Sequence, residues 1–285
     1  MGRKAKRYYI PKCYLKEFTK GGDDSSAFWC VPVNNDAQFQ TSPNDACAKR
    51  DYYTVRHSNS LIVEDWYAGE IEPKIEKEIS HIKEHSSLPP KEEMRYLILL
   101  LTTLYLRVPS FRYSLKEPIK RTKEIVDSIS QDVKIRNRFE FDYDQTDLIM
   151  HELKLIDTVQ AFLSNKYFQL HVVDDVKSNV ITSDRPFILS HPNGGEGFYF
   201  VLNTSKVEVC APITKNAIVI ARNEKIAEGT FTASEQLIGL TNTKLIISTD
   251  RFFYSCDNEL LLVDDDISVY NHKISTNKAF HQTSR

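Results

Sequence analysis

Residues 97–112 read LILLLTTLYLRVPSFR, and this stretch decides how the rest of the chain folds. Its first ten residues are apolar on almost every helical face, which predicts a helix at the buried centre of a bundle. A run of this length is about half of what a bilayer crossing needs, so we expect no membrane span. Pro109 is expected to end or kink the helix, because proline lacks the N–H that an interior helical position requires.

Further helices are predicted on both sides of the central one. Apolar residues recur every three to four positions over 61–82, and the proline pair at 89–90 then breaks the chain before the central helix. The same periodicity predicts helices at about 110–136 and 145–169. The middle of the chain is therefore predicted to be a helical bundle.

Three acids, Asp142, Asp144 and Asp147, stand where the last of these helices is expected to begin. Carboxylates in such a cluster could bind Mg²⁺. Acids at a helix start also interact favourably with the positive end of the helix dipole. We interpret them as capping residues, with a magnesium site as the alternative.

The two ends of the chain have the pattern of β structure. Residues 25–33, SSAFWCVPV, are aromatic and β-branched between polar turns, which predicts a hairpin arm, and a second strand is predicted from Tyr52 to Val55. From residue 168 the apolar period changes to two, which predicts five short strands. They are expected at 168–173, 179–182, 197–202, 206–210 and 216–221. A late helix at about 233–249 and a strand at 251–256 are expected to follow.

The predicted fold class is therefore α+β, with a central α-helical bundle flanked by an N-terminal β-hairpin and a C-terminal, mostly antiparallel β-sheet. Residues 1–58 form the extended or hairpin segment, 59–168 the helical region, and 169–285 the β-rich region with one late helix. A chain of 285 residues can bury all three in one compact domain.

Composition and charge narrow the class of protein. The formal net charge is -2, which gives no overall preference for nucleic acid, although residues 1–20 carry seven Lys and Arg against one Glu and could contact phosphates. The five cysteines are widely spaced and form no C-x-x-C pair, as expected for reduced thiols in the cytoplasm. The basic start lacks the apolar core of a signal peptide. We expect a cytoplasmic protein with no membrane contact.

Motifs for phosphate-binding glycine loops, nucleophile elbows and zinc proteases are absent from the sequence. His81 and His85 have helical i, i+4 spacing, but no third zinc ligand accompanies them. The sequence GGEG at 194–197 is interpreted as a hairpin turn. We therefore expect no metal site and no cofactor. Binding of Mg²⁺ stays an alternative, but no ligand motif in the sequence supports it.

Arg107 and Arg112 flank Pro109 at the end of the helix that should be buried. A buried guanidinium must be paired or bind an anion, because an unpaired buried charge is very costly. Pairing with Glu72, Glu76 or Asp184 is one interpretation. Phosphate binding is the other, and the bidentate geometry of arginine suits it.

Several segments together resemble a bacterial family, the domain of unknown function 4238. The resemblance is carried, in order along the chain, by YYIPKCYLKEF (8–18), NDACAKRDYYTV (44–55), EPKIEKEIS (72–80), LRVPSFR (106–112), ITSDRPF (181–187), CAPITKNAIVI (210–220) and STDRFFYS (248–255). The family has no assigned biochemistry, and the resemblance implies a link to bacterial anti-phage defence. Family members usually carry a His near the start, where this chain has Tyr8 and Tyr9, so a His in that position is not expected to act here.

The polar residues within these segments are the candidates for a site. We interpret Asp184, Arg107, Arg112 and Tyr14 as candidate catalytic residues. The candidate substrate-binding residues are Lys12, Ser183, Arg185 and Arg251. If these residues converge, they form either a buried salt-bridge cluster or a functional site.

Three functions are open at this point. The first is an anti-phage nuclease, with RNA favoured over DNA and no metal required, in which Asp184 acts as base and the two arginines hold the phosphate. The second is a non-enzymatic sensor or toxin that binds a phage protein or another protein partner. An enzyme acting on a small molecule such as a nucleotide is the third, and the sequence leaves the oligomeric state open.

Overall fold

A computed structural model describes residues 6–34, 37–130, 143–174, 179–191 and 204–274, together with residues 132, 134 and 202. Its helices are α1 (Lys12–Leu15), α2 (Ile62–Trp66), α3 (Glu72–His85), α4 (Met94–Leu106), α5 (Pro109–Ile129), α6 (Gln145–Ser164) and α7 (Glu235–Ser248). A 3₁₀ turn, Lys16–Phe18, continues α1, and a π-helical turn, Tyr67–Ile71, joins α2 to α3.

The strands occupy both ends of the chain, as predicted. They are β1 (Lys6–Tyr8), β2 (Phe28–Pro32), β3 (Phe39–Thr41), β4 (Ala48–Arg50), β5 (Tyr167–Val172), β6 (Thr182–Ser183), β7 (Ile188–Ser190), β8 (Glu208–Thr214), β9 (Ala217–Arg222), β10 (Gly229–Thr232), β11 (Phe252–Ser255), β12 (Glu259–Val263) and β13 (Val269–Lys273). The predicted α+β class is confirmed.

Helix α4 is the buried centre of the helical region, as its sequence predicts. Its apolar residues are almost all enclosed, and it packs against both α3 and α6. Among the described residues, no helix is long and apolar enough to cross a membrane. Pro109 is the first residue of α5, so it separates two helices instead of kinking one.

Local sequence signals fix where the later helices begin. The side chain of Asp144 accepts the N–H of Asp147, and Asp147 accepts that of Asp144, which is a capping box at the start of α6. The capping interpretation of these two acids is confirmed, whereas Asp142 lies outside the described residues. Ser234 caps α7 in the same way through the N–H of Leu237.

A five-stranded sheet in the order β10-β5-β9-β8-β7 forms the centre of the C-terminal region. All its pairings are antiparallel except β10 with β5, in agreement with the prediction. Alternate residues bury both faces: Val209 and Ala221 belong to a core shared with the helical region, whereas Cys210 and Ile220 belong to a second core under α7. The predicted strand at 197–202 and the turn at 194–197 lie outside the described residues, apart from residue 202.

A second sheet, in the order β3-β2-β11-β6, joins the N-terminal hairpin to the C-terminal region. The predicted arm at 25–33 contains β2, which pairs with β3. The predicted strand from Tyr52 to Val55 is wrong, because the strand lies at Ala48–Arg50 and the two tyrosines follow it in a turn. Both tyrosines are buried against polar partners, so their aromatic character reflects packing in a turn and not a strand.

Glu78 on α3 is a buried acid. Its side chain is 2% exposed, and one carboxylate oxygen has no hydrogen-bond partner among the described residues. Burial, with a smaller contribution from Glu93, raises the pKa of Glu78 to about 7. The folded state therefore binds more protons than the unfolded state between the usual carboxyl pKa and about 7, so this group's contribution to stability falls as pH rises through that window.

We expect Glu78→Gln to stabilise the protein by about 2 kcal/mol at pH 8 and to change stability little at pH 5, because glutamine carries no charge to desolvate. Urea unfolding at both pH values measures the difference. Glu84→Gln, on the exposed side of the same helix, is the matched control. An equal effect of Glu78→Gln at both pH values would contradict the prediction.

Candidate functional site

Arg107 is enclosed at the junction of α4 and α5 and is fully bonded within the protein. Its guanidinium donates to the hydroxyl of Tyr53 at 2.8 Å, to the carboxylate of Glu72 at 3.1 Å and to the carbonyl of Tyr8 at 2.7 Å. The ring of Tyr67 lies 4.1 Å from the guanidinium carbon. Burial acts to lower the pKa of Arg107, but Tyr53, Glu72 and Tyr67 raise it above its usual range.

Arg112, one turn into α5, forms the second buried cation. Two of its nitrogens donate to one carboxylate oxygen of Glu152 on α6, at 2.9 and 2.7 Å, and the third donates to the carbonyl of Tyr52 at 2.8 Å. Glu152 is fully buried, and its other oxygen accepts the hydroxyl of Tyr67 at 3.0 Å. This ion pair therefore has every oxygen and nitrogen satisfied, which a pair taken out of water requires.

Asp184 lies in a different environment from the two arginines. Its carboxylate accepts three backbone N–H groups, those of Asp250 at 3.1 Å, Arg251 at 2.9 Å and Phe252 at 3.2 Å. Burial and the charge of Asp250 raise the pKa of Asp184 to about 7, while the three N–H donors act to lower it. The acid fixes the turn that leads into β11.

Aromatic side chains lie between these two groups. The ring of Tyr9 is 5.7 Å from that of Tyr52, which stacks on Arg112. Burial, Cys47 and the negative charge of Asp184 raise the pKa of Tyr9 above its usual range. No hydrogen bond or ion pair joins Asp184 to either arginine in the described part of the chain.

Tyr14 and Ser183 are also enclosed. The hydroxyl of Tyr14 donates to the carbonyl of Pro212 at 2.9 Å and lies 2.8 Å from the hydroxyl of Thr182. Ser183 is fully buried and accepts the backbone N–H of Arg185 at 3.0 Å. Tyr14 therefore joins the N-terminal segment to β6 and β8, whereas Ser183 stabilises the turn that follows it.

The remaining candidates are more exposed. Lys12 donates to Asp24 at 3.1 Å and to Asn44 at 3.3 Å, Arg185 is half-buried, and Arg251 is exposed with its guanidinium 5.0 Å from the ring of Phe252. The eight residues therefore lie in separate groups, and the buried ones have their polar atoms committed to the fold. A catalytic role for them stays a prediction that these contacts do not favour.

The basic N-terminal segment is also paired where it is described. Arg7 binds Glu64, Lys16 binds Glu76, and each of these ion pairs has an N–O distance of 2.5 Å. These pairs neutralise much of the positive charge that the sequence places here.

A solvent-open cavity of about 450 Å³ lies at one end of the five-stranded sheet, and the charged residues that line it are not among the eight candidates. We call it the sheet-end cavity, and it is lined by Ser190, His191, Lys206, Glu208, Arg222, Glu224 and Lys244. The strands supply a row of directly paired residues across three neighbours, Ser190 with Glu208 and Glu208 with Arg222. Paired residues point to the same face of a sheet, so this row forms the floor.

Glu208 is the centre of that floor. Its carboxylate accepts the Nε–H of Arg222 at 2.8 Å and lies 3.8 Å from the ammonium of Lys244 on α7. Lys244 also donates to the hydroxyl of Ser190 at 3.1 Å. With His191 beside them, these groups offer a carboxylate base, an imidazole and fixed cations in one open site.

The sequence contains only a partial signal for this site. The predicted strands 206–210 and 216–221 would pair residue 208 with residue 218, whereas the observed β8 continues to Thr214 and pairs Glu208 with Arg222. His191 and Lys244 carried no such signal, because their positions depend on how β7 and α7 pack on the hairpin.

Possible metal ligands were compared across the described residues. Among the described residues, no group of three or more His, Cys, Asp or Glu is arranged to hold a metal ion. The side chains of His81 and His85 stack at 4.6 Å instead of converging with a third ligand.

Glu152→Gln is expected to destabilise the protein by about 3–5 kcal/mol, because it leaves the guanidinium of Arg112 buried without a counter-charge. Urea unfolding measures the loss. Glu70→Gln is the control, since Glu70 and its partner Lys74 are 65% and 45% exposed, and such an exposed pair contributes little to stability.

The double variant Arg112→Met/Glu152→Leu is expected to recover most of that stability, because it removes both buried charges together. Wild-type stability in Glu152→Gln would show that the pair is not structural.

Comparison with known proteins addresses the family of the chain. The model of the family described as a protein of unknown function (DUF4238) matches residues 6–279. The searches of curated proteins and of solved structures gave no significant match. Because the family match covers nearly the whole chain, this protein belongs to the DUF4238 family.

Proposed function

We propose that this protein is an anti-phage effector that cleaves RNA, and that the reaction takes place in the sheet-end cavity. One observation carries the proposal of cleavage: His191, Glu208 and the cations Arg222 and Lys244 line a single open cavity. The defence role rests on the family resemblance. Asp184 and Arg107 are not assigned to catalysis, because each is only 2% exposed and has its polar atoms bonded within the fold.

The chemistry of RNA cleavage suits these groups. The 2′-hydroxyl of RNA can attack the adjacent phosphate once a base removes its proton, and the nucleophile is thus part of the substrate. Glu208 takes that proton, and His191 donates a proton to the departing 5′-oxygen. The cations Arg222 and Lys244 stabilise the negative charge that grows on the phosphate oxygens.

Lys206 and Glu224 complete the cavity wall. Lys206 is exposed, which suits contact with a neighbouring phosphate of a single strand. DNA lacks the 2′-hydroxyl, so the same groups would leave it uncut.

Incubation of the purified full chain with total RNA and with plasmid DNA, each with EDTA and with Mg²⁺, tests the proposal. We expect RNA cleavage in EDTA and no DNA cleavage. His191→Gln and Glu208→Gln are each expected to slow RNA cleavage by about 10²–10⁴-fold, the usual contribution of a general acid or base.

His57→Gln and Lys225→Gln, both exposed and outside the cavity, serve as controls and should leave the rate unchanged. The proposal fails if the wild type cuts no RNA under either condition, or if folded His191→Gln and Glu208→Gln cut RNA at the wild-type rate.

A second candidate function, recognition of a protein partner, has one observation in its favour. Helix α5 exposes large apolar side chains, with Tyr113 63%, Ile125 59% and Ile129 77% exposed. Ile125 and Ile129 are one helical turn apart and form an exposed apolar patch, a feature found at protein-binding surfaces. Loss of phage protection in Ile125→Lys, with RNA cleavage intact, would support this function in addition to cleavage.

A further inference from the structure

A second cavity of about 450 Å³ lies at the opposite end of the five-stranded sheet. We call it the hairpin-turn cavity. Three separate segments form its walls: residues 17–22 after α1, the end of α3, and the ends of β5, β8 and β9 with the turn between the last two. Because β8 runs about 20 Å from Glu208 to Thr214, this cavity is distinct from the sheet-end cavity.

Each of the three segments brings a lysine to this cavity. Lys215 in the hairpin turn donates to the carbonyls of Thr19 at 2.9 Å and Lys20 at 3.3 Å, and no carboxylate lies within ion-pair distance of it among the described residues. An ammonium has three protons, so one of them is left for a ligand. The positive charge of Lys215 is therefore held at the cavity without a counter-charge.

Each of the other two lysines has one acid nearby. Lys83 pairs at 2.9 Å with Glu17, which is 7% exposed and also lines this cavity, while the Lys83 side chain stays 54% exposed. Lys20 is 77% exposed, and its nearest acid, Asp257, is 3.9 Å away. One acid of the wall, Asp174, accepts the hydroxyl of Thr232 at 3.1 Å.

Gly21 and Gly22 form a turn in this wall. Gly22 has a φ of +73°, a left-handed conformation that favours glycine, and a Cβ built there would lie 3.5 Å from the ammonium of Lys83. Val172, which is partly exposed, adds an apolar surface beside the lysines. The cavity thus combines an apolar wall, cations from three segments and a carboxylate that can accept a hydroxyl.

We propose that the hairpin-turn cavity binds a small phosphate-bearing molecule of nucleotide size. Its phosphate contacts Lys20, Lys83 and Lys215, since lysine binds phosphate as a point charge. Its apolar or aromatic part lies on Val172, and a hydroxyl donates to Asp174. The site is separate from the cleavage site, so it does not depend on whether RNA is cut.

Isothermal titration calorimetry of the full chain with adenosine 5′-monophosphate, adenosine and pyrophosphate, at matched ionic strength, tests the proposal. We expect the two phosphate compounds to bind and adenosine to bind at least about tenfold more weakly. Lys20→Met and Lys83→Met should each weaken binding of adenosine 5′-monophosphate about tenfold, as loss of one charged contact does. Lys77→Met, on the same helix as Lys83 and outside the cavity, should not.

Lys244→Met identifies which cavity is occupied, because Lys244 lines only the sheet-end cavity of the two. Unchanged affinity in Lys244→Met, together with weakened affinity in Lys20→Met, supports the proposal. Three results would overturn it: no binding of either phosphate compound at millimolar concentration, equal affinity for adenosine, or loss of binding in Lys244→Met with none in Lys20→Met. Thermal melting of each variant confirms that it is folded.

Discussion

The fold depends on the desolvation of two guanidinium groups at the junction of α4 and α5. A charge removed from water must recover its lost hydration through hydrogen bonds and a counter-charge. Arg107 and Arg112 do so only if the turn that carries Tyr52 and Tyr53, the N-terminal strand and helix α6 all meet at this point. The arginines therefore join segments that are distant in sequence, and apolar contacts alone would not select those segments.

Asp184 has the same role in the second sheet. The stretch ITSDRPF ends a short strand, and its proline explains why the strand stops, since proline offers no ladder donor. The acid is explained by the turn before β11, whose three N–H groups all point to one carboxylate. An acid that follows a strand gives the same sequence pattern whether it binds a substrate or the backbone of a turn. Only the position of residues 250–252 separates the two interpretations.

The sequence was most informative where structure depends on periodicity. The buried character of α4, the stop at Pro109 and the acidic start of α6 could be predicted because each follows from neighbouring residues. The turn at Tyr52 could not, because aromatic residues suit a strand equally well and a tertiary contact with arginine decides the matter. Glu152 was missed for the same reason: a single acid on an apolar helical face gives no indication of its partner. The pairing of Glu208 with Arg222 was also missed, because the predicted strand at 206–210 ends four residues before β8 does, and the proximity of Glu208 to Lys244 depends on how α7 packs on the hairpin.

The charged side chains that a ligand could reach lie at the two ends of the five-stranded sheet. Inside the molecule, a polar atom without a partner is costly, so nearly all are committed to the fold and are poorly available to a substrate. At the sheet ends the strands stop, and their charged side chains keep part of their surface in water, as Arg222 does with 45% exposure. The hairpin of β8 and β9 reaches both ends, with its turn in one cavity and its open ends in the other. This hairpin fixes the charges of both cavities relative to the same core, so the geometry of both proposed sites depends on the packing of the interior.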